Sequence, residues 1–292
     1  MSKTRVYLKY TTEELRRQYD TRAGVPGINE MVAARPKMAA SYRAEAPQVR
    51  LDLAYGPRDQ ETLDLFMPAR VTEAPVHLFI HGGYWTMMDK TDFSFIAKPY
   101  VDAGALVAVV NYDLCPVVTL PKIVDEIRRC IVWLYQHIAE FGGDPNQIHI
   151  SGHSAGGHLT GMMLATDWPA FDKTVPADVV KSAVPMSGIY DLEAMRHIPL
   201  QEKLVLDAKT ARANSPMFLD VMSKVPTLVA VGGGESDEFH RQSLEYADHL
   251  KEGGAEVQYM DCPGLFHISM LTETVDAAHP FTQARLRLMG LL

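Results

Sequence analysis

The sequence predicts an α/β protein: a mostly parallel central sheet, antiparallel strands at its N-terminal edge, and helices on both faces. Three observations predict it. Two early segments alternate apolar and polar residues, as strands with one buried face do. Later strand candidates are continuous apolar runs, as in parallel strands covered on both faces. Helical stretches separate those runs, which gives strand–helix alternation.

Taken in order, residues 1–45 differ from the rest. Thr12-Glu13-Glu14-Leu15-Arg16-Arg17-Gln18-Tyr19 starts like a capped helix. Asn29 to Tyr42 reads as a second helix that Pro36 interrupts. This segment is too small for a domain and is expected to be a helical arm or lid on the catalytic domain, residues 46–292. Val49 to Tyr55 and Thr62 to Met67 are the alternating strands, with Gly56-Pro57 turning between them. The apolar runs are Val76 to Ile80, Leu106 to Val110, Ile148 to Ile150, Val180 to Pro185, Leu228 to Val231 and Val257 to Met260. Helices are expected over Asp92 to Ala103, Leu120 to Glu140, Ala155 to Thr166, Glu238 to Gly253 and Thr282 to Leu291. The stretch at about 189–224 breaks this rhythm and reads as an insertion over the sheet.

Composition narrows the function classes. The 292 residues are 47% hydrophobic and 22% charged, ordinary for a globular chain. With 28 basic and 36 acidic residues the net charge is -8, which argues against nucleic acid and anionic membrane as partners. Three separated cysteines, Cys115, Cys130 and Cys262, form no disulfide framework and suit a reducing compartment. No apolar run approaches the roughly 20 residues of a spanning helix, and the N-terminus does not read as a signal peptide. A cytoplasmic protein with a small-molecule substrate is expected, with a homodimer left open.

Gly152-His153-Ser154-Ala155-Gly156 matches G-x-S-x-G between a strand and a helix, the context in which a serine stands exposed on a sharp turn. Ser154 is the candidate nucleophile, and Ala155 N–H at the helix start can face an oxyanion. Upstream, His81-Gly82-Gly83-Tyr84-Trp85 ends a strand abruptly. Gly82 and Gly83 can turn their N–H groups toward the same point, as in the H-G-G loops of lipases and esterases. A Gly-Gly pair also serves as plain strand-end punctuation; its place before the serine motif favours the oxyanion role.

Among eleven histidines, His267 follows the last strand through a loop rich in turn residues, where a serine hydrolase of this kind carries its base. His249 falls in a helix, His279 in the tail, and His153 should point away from the Ser154 hydroxyl. The acid belongs in Gly232-Gly233-Gly234-Glu235-Ser236-Asp237-Glu238, where Glu235 and Asp237 both qualify. The triple glycine lacks the dinucleotide spacing. The spacings His77/His81 and His149/His153 fall at strand ends, where paired rings do not converge on an ion, so no metal and no cofactor is expected. Tyr84, Trp85, Tyr190 and Phe266 are candidate substrate-binding residues; aromatic burial competes with that role, as helix capping does for Asp191. Arg196, Arg212 and Arg241 are weighed for a substrate carboxylate against ordinary surface exposure.

These residues carry a family likeness. From about Tyr55 to His267 the chain resembles the α/β-hydrolase kynurenine formamidases (arylformamidases), near the hormone-sensitive-lipase-like esterases. The likeness rests on His81-Gly82-Gly83-Tyr84-Trp85, on Gly152 to Leu159, on Ser187-Gly188-Ile189-Tyr190-Asp191-Leu192 and on Glu238-Phe239-His240-Arg241-Gln242-Ser243. The resemblance implies a metal-free Ser154–Glu235–His267 triad, because the family's acid stands just before the Ser-x-Glu-Phe run. Family members carry Asp there; this chain carries Glu, one methylene longer, with Asp237 as the fallback. It also implies N-formyl-L-kynurenine as substrate, in tryptophan catabolism. A carboxylesterase acting on short-chain esters is the alternative. A non-catalytic ligand-binding member is the remote one, disfavoured because Ser154 and His267 are both in place.

Overall fold

The strands along the chain are β1 (Gln48–Ala54), β2 (Thr62–Met67), β3 (Ala74–Ile80), β4 (Leu106–Val110), β5 (Gly143–His153), β6 (Val180–Met186), β7 (Thr227–Gly232) and β8 (Val257–Cys262). In the computed structural model, which describes residues 4–292, they form one sheet in the order β1-β2-β4-β3-β5-β6-β7-β8. The β1–β2 and β2–β4 pairs are antiparallel and the rest parallel, as the sequence predicts.

Side chains one residue apart on a strand point to opposite faces, so the continuous apolar runs feed two cores. Leu78, Ile80, Ala108 and Val110 enter the core on one face of the sheet. Phe79, Val107 and Val109 enter the core on the other. The helices Leu120–His137, Ala155–Leu164, Asp237–Glu252 and Pro280–Leu288 occur where predicted, within a few residues.

Several local expectations are corrected. β1 is largely exposed rather than half-buried, because it is an edge strand bulged between Arg50 and Leu53. β2 lies between two strands and is buried beyond its first residue; its Asp64 is held 3.2 Å from Lys90 Nζ. β8, expected as a doubly covered strand, is a partly exposed edge. The helix expected over 92–103 is instead two 3-10 turns, Lys90–Asp92 and Ser94–Ala97, followed by a short helix, Lys98–Asp102, with Pro99 in its first turn. Conversely, Ile28–Glu45 is one continuous helix, since Pro36 lies on its exposed side, where the carbonyl that loses its partner can meet water.

Two segments bear on the site. Residues 189–224 form short turns and helices between β6 and β7. The N-terminal segment lies against this insertion and the helix Asp237–Glu252. Thr11 caps Thr12–Gln18 with a reciprocal Glu14 bond. Tyr7 donates to Asp191 Oδ2 at 2.6 Å, Ser236 Oγ donates to the Gln18 carbonyl at 2.6 Å, and Gln242 Nε2 donates to Tyr19 Oη at 2.6 Å.

Candidate active site

Ser154 stands between the end of β5 and the helix Ala155–Leu164, with φ 59° and ψ -118°. A non-glycine residue holds that conformation only when its surroundings enforce it. Packing here enforces it. A Cβ on Gly152 would lie 2.1 Å from the Gly156 carbonyl oxygen, and one on Gly156 would lie 2.0 Å from that of Ile80. Only glycine lets the strand, the turn and the helix approach so closely. The Ser154 amide donates to the Met186 carbonyl at 2.9 Å, tying the turn to β6.

The loop after β3 is fixed by His81. Its ring stacks between Tyr112 (centroids 4.2 Å apart) and Phe93 (5.6 Å). Its Nδ1 donates to the Gly82 carbonyl at 2.7 Å, and Tyr112 Oη donates to the His81 carbonyl at 2.8 Å. Burial pushes the His81 pKa below the usual imidazole value. Gly82 crosses directly beside the serine turn: a Cβ there would lie 2.8 Å from the His153 carbonyl oxygen and 3.0 Å from Ser154 Cβ. Among the described residues, the amides of Gly82, Gly83 and Ala155 donate to no protein acceptor.

His267 Nδ1 is 2.6 Å from Glu235 Oε2, and both side chains are buried. The other carboxylate oxygen, Oε1, accepts from the Gly232 amide at 2.8 Å and from Ser187 Oγ. Glu235 is therefore held from both ends. Asp237, the other acid considered, is exposed in the first turn of its helix and contacts neither histidine nor serine.

Ser154, His267, Gly82, Gly83 and Tyr84 line one cavity of about 530 Å³, within the range of small-molecule sites. Three other aromatic candidates do not line it. Trp85 is fully buried and its Nε1 donates to His158 Nδ1 at 3.2 Å, so its polar edge is satisfied in the core. Tyr190 is fully buried and stacks on Tyr246 at 4.1 Å. Phe266 turns to a side groove shared with Gly234, Glu235 and Phe239. Asp191 caps a 3-10 turn through the Glu193 amide. Arg196 pairs with Glu193, Arg212 lies over the Phe218 ring, and Arg241 pairs with Glu238 and Glu245; none faces the cavity.

Sequence reasoning missed two groups. His153 was expected to turn away; its ring stands 4.5 Å from that of His267 and lines the cavity. Burial holds its pKa well below the usual range, and the His267 and Arg35 charges add to that. The N-terminal segment supplies Arg16, Tyr19, Asp20, Arg22 and Arg35 to the cavity, while Ile198, Pro199 and Leu200 come from the insertion. No spacing rule links residues so distant along the chain.

The histidines weighed as metal pairs go to separate partners: His77 to Ser151 at 2.7 Å and His149 to Ser182 at 2.7 Å. Among the described residues no helix is long and apolar enough to cross a membrane.

The BD-FAE family model matches residues 63–243. A kynurenine formamidase from Danio rerio is 30% identical over 99% of this chain and 97% of its own length. One from Salmo salar is 33% identical over 83% of each chain. The esterase LipQ of Mycobacterium tuberculosis is 30% identical over 82% of this chain and 62% of its own. Among solved structures, a Silicibacter sp. protein described as a thioesterase superposes with TM-score 0.78 at 28% identity, covering 91% of this chain and 97% of that one.

Proposed function

This chain belongs to the kynurenine formamidase branch of the α/β-hydrolase esterase family, and we propose from that premise that it hydrolyses N-formyl-L-kynurenine to kynurenine and formate. It is a hydrolase by kinship with formamidases and carboxylesterases. The observation that carries the proposed chemistry is the 2.6 Å contact of His267 with Glu235, with His267 and Ser154 on one cavity.

In the proposed mechanism, the Ser154 hydroxyl gives its proton to His267 Nε2 as Oγ attacks the formyl carbon. His267 keeps its Nδ1 proton directed at Glu235, which fixes the ring and stabilises the imidazolium. The oxyanion accepts from the amides of Gly82, Gly83 and Ala155, which among the described residues have no other protein acceptor. The C–N bond then breaks and His267 returns its proton to the departing aniline nitrogen. Water, deprotonated by His267, attacks the formyl ester; formate leaves and Ser154 regains its proton. The N-terminal segment acts in this reading as a cap, since its residues from Arg16 to Arg35 contribute one wall of the cavity. The buried, unpaired Cys115, Cys130 and Cys262 fit a reducing, cytoplasmic setting. The role served is then tryptophan catabolism.

The second reading is a carboxylesterase, favoured by the esterase among the relatives. The deciding experiment is kcat/KM on N-formyl-L-kynurenine beside p-nitrophenyl acetate, with Ser154→Ala as blank. A value of about 10⁴ M⁻¹s⁻¹ or more on the formamide supports formamidase action. Turnover of the ester alone establishes the second reading.

A further inference from the structure

Arg35 is 8% exposed and lies in the cavity wall, yet it forms no ion pair among the described residues. Its guanidinium rests over the Phe93 ring at 5.4 Å, and Nη1 faces Met88 Sδ at 3.9 Å. Its Nε is buried without a hydrogen-bond partner. A guanidinium carries five donors and loses water on burial, so a buried one is ordinarily met by a carboxylate or phosphate. Here an aromatic face and a thioether hold it, and neither neutralises it. Asp92 is the acid whose charge acts on it, and burial still pulls its pKa below the usual arginine value.

The rim extends the pattern. Arg16 and Arg22 are exposed at the cavity edge, and among the described residues neither forms an ion pair. Arg22 Nη2 donates to Asn29 Oδ1 at 3.3 Å. Among the described residues Asp20 is the one acid lining the cavity, and its Oδ1 accepts from the Arg22 backbone amide at 3.3 Å. A chain of net charge -8 thus turns three arginines and one aspartate toward this cavity. Such local reversal concentrates anions at a site and steers their approach.

We propose that Arg35 receives a carboxylate of the substrate through a paired, charge-assisted hydrogen bond, with Arg22 and Arg16 guiding the anion in. The site is then selective for substrates that carry a free carboxylate, and Arg35 is its specificity-determining residue. Placing that carboxylate on the departing amine rests on the formamidase reading, because a formyl group has no room for it.

Two matched pairs test this: N-formyl-L-kynurenine against its α-carboxamide, and 3-acetoxyphenylacetate against its methyl ester. The quantity read is the ratio of kcat/KM, free carboxylate over blocked carboxylate, which is insensitive to the fraction of folded enzyme. The expected ratio is about tenfold or more in the wild type, carried mainly by KM, and falls toward one in Arg35→Gln and on raising salt. Arg35→Lys should restore part of it. Should Arg35→Gln fail to fold, Arg22→Gln on the exposed rim and the salt dependence of the wild type give the same reading. A ratio near one for both wild-type pairs, or one that Arg35→Gln leaves unchanged, overturns the proposal. If neither formamide is hydrolysed while the ester pair keeps its anionic preference, the formamidase reading fails and the anion site stands. If both formamides turn over and the ratio is near one in both pairs, the formamidase reading stands and the anion site fails.

Discussion

Glu235 and His267 meet at 2.6 Å with both side chains buried, and the second Glu235 oxygen is anchored by the Gly232 amide and Ser187. Anchoring the far oxygen leaves the near one fixed on the imidazole.

Replacing Glu235 by Gln should therefore lower kcat by about 10³-fold or more, because the amide favours the wrong imidazole tautomer. Glu235→Asp should lose less, and Asp237→Ala should change kcat by less than about twofold, as expected of an exposed surface side chain. Steady-state kinetics on whichever substrate proves active checks all three. A larger loss in Asp237→Ala than in Glu235→Gln would reassign the acid.

Gly82→Ala places a methyl group 3.0 Å from Ser154 Cβ and 2.8 Å from the His153 carbonyl oxygen. The loop must retreat, carrying its amides with it. A loss of about 10²–10³-fold in kcat is expected, the scale of one missing oxyanion donor. Circular dichroism and a thermal melt should show the fold retained; kcat within about threefold of wild type would exclude Gly82 from the oxyanion site.

Trp85 should behave as a core residue despite its place in the glycine loop after β3. Trp85→Ala is expected to destabilise by about 3–5 kcal/mol. Trp85→Phe should cost roughly 1–2 kcal/mol, since it leaves His158 Nδ1 without its donor. Denaturant titration measures both. A change in KM without loss of stability would return Trp85 to the substrate wall.

Glu126 is buried, and only one of its carboxylate oxygens is paired: Oε2 accepts from the Asp113 amide at 2.8 Å. Burial pushes its pKa up to about 7; that amide and the Arg129 charge oppose the shift, while the Asp113 and Glu61 charges add to it. The unfolded chain releases this proton near the ordinary glutamate value, so between about pH 4.5 and 7 the folded state binds more protons. Glu126 then removes stability as pH rises through that window. Glu126→Gln should raise stability at pH 8 by about 1–2 kcal/mol and have little effect at pH 4.5. Urea titrations at the two pH values check it; equal effects at both would assign the change to packing.

The strands and the serine turn were legible because each is written in a few neighbouring residues. The runs Val76 to Ile80 and Leu106 to Val110 are apolar on both faces, and period-2 geometry alone sends alternate residues to two cores. Gly152, Ser154 and Gly156 declare a close-packed turn in five positions. Pro36 misled because its cost in a helix depends on which side faces water. β1 and β8 misled because only the sheet order makes them edges.

What the sequence by itself determined is the order of strands and helices along the chain, the serine turn, the glycine loop after β3 and the loops that carry Glu235 and His267. Only the tertiary structure decided that Tyr84 faces the cavity while Trp85 enters the core, that His153 lies against His267, and that Arg35 reaches the same space with no ion pair among the described residues. The physical reason is range. Periodicity and turn chemistry act between residues a few positions apart. Burial and charge pairing are set by what arrives from elsewhere in the chain: the guanidinium of Arg35 comes from a helix that ends more than a hundred residues before Ser154.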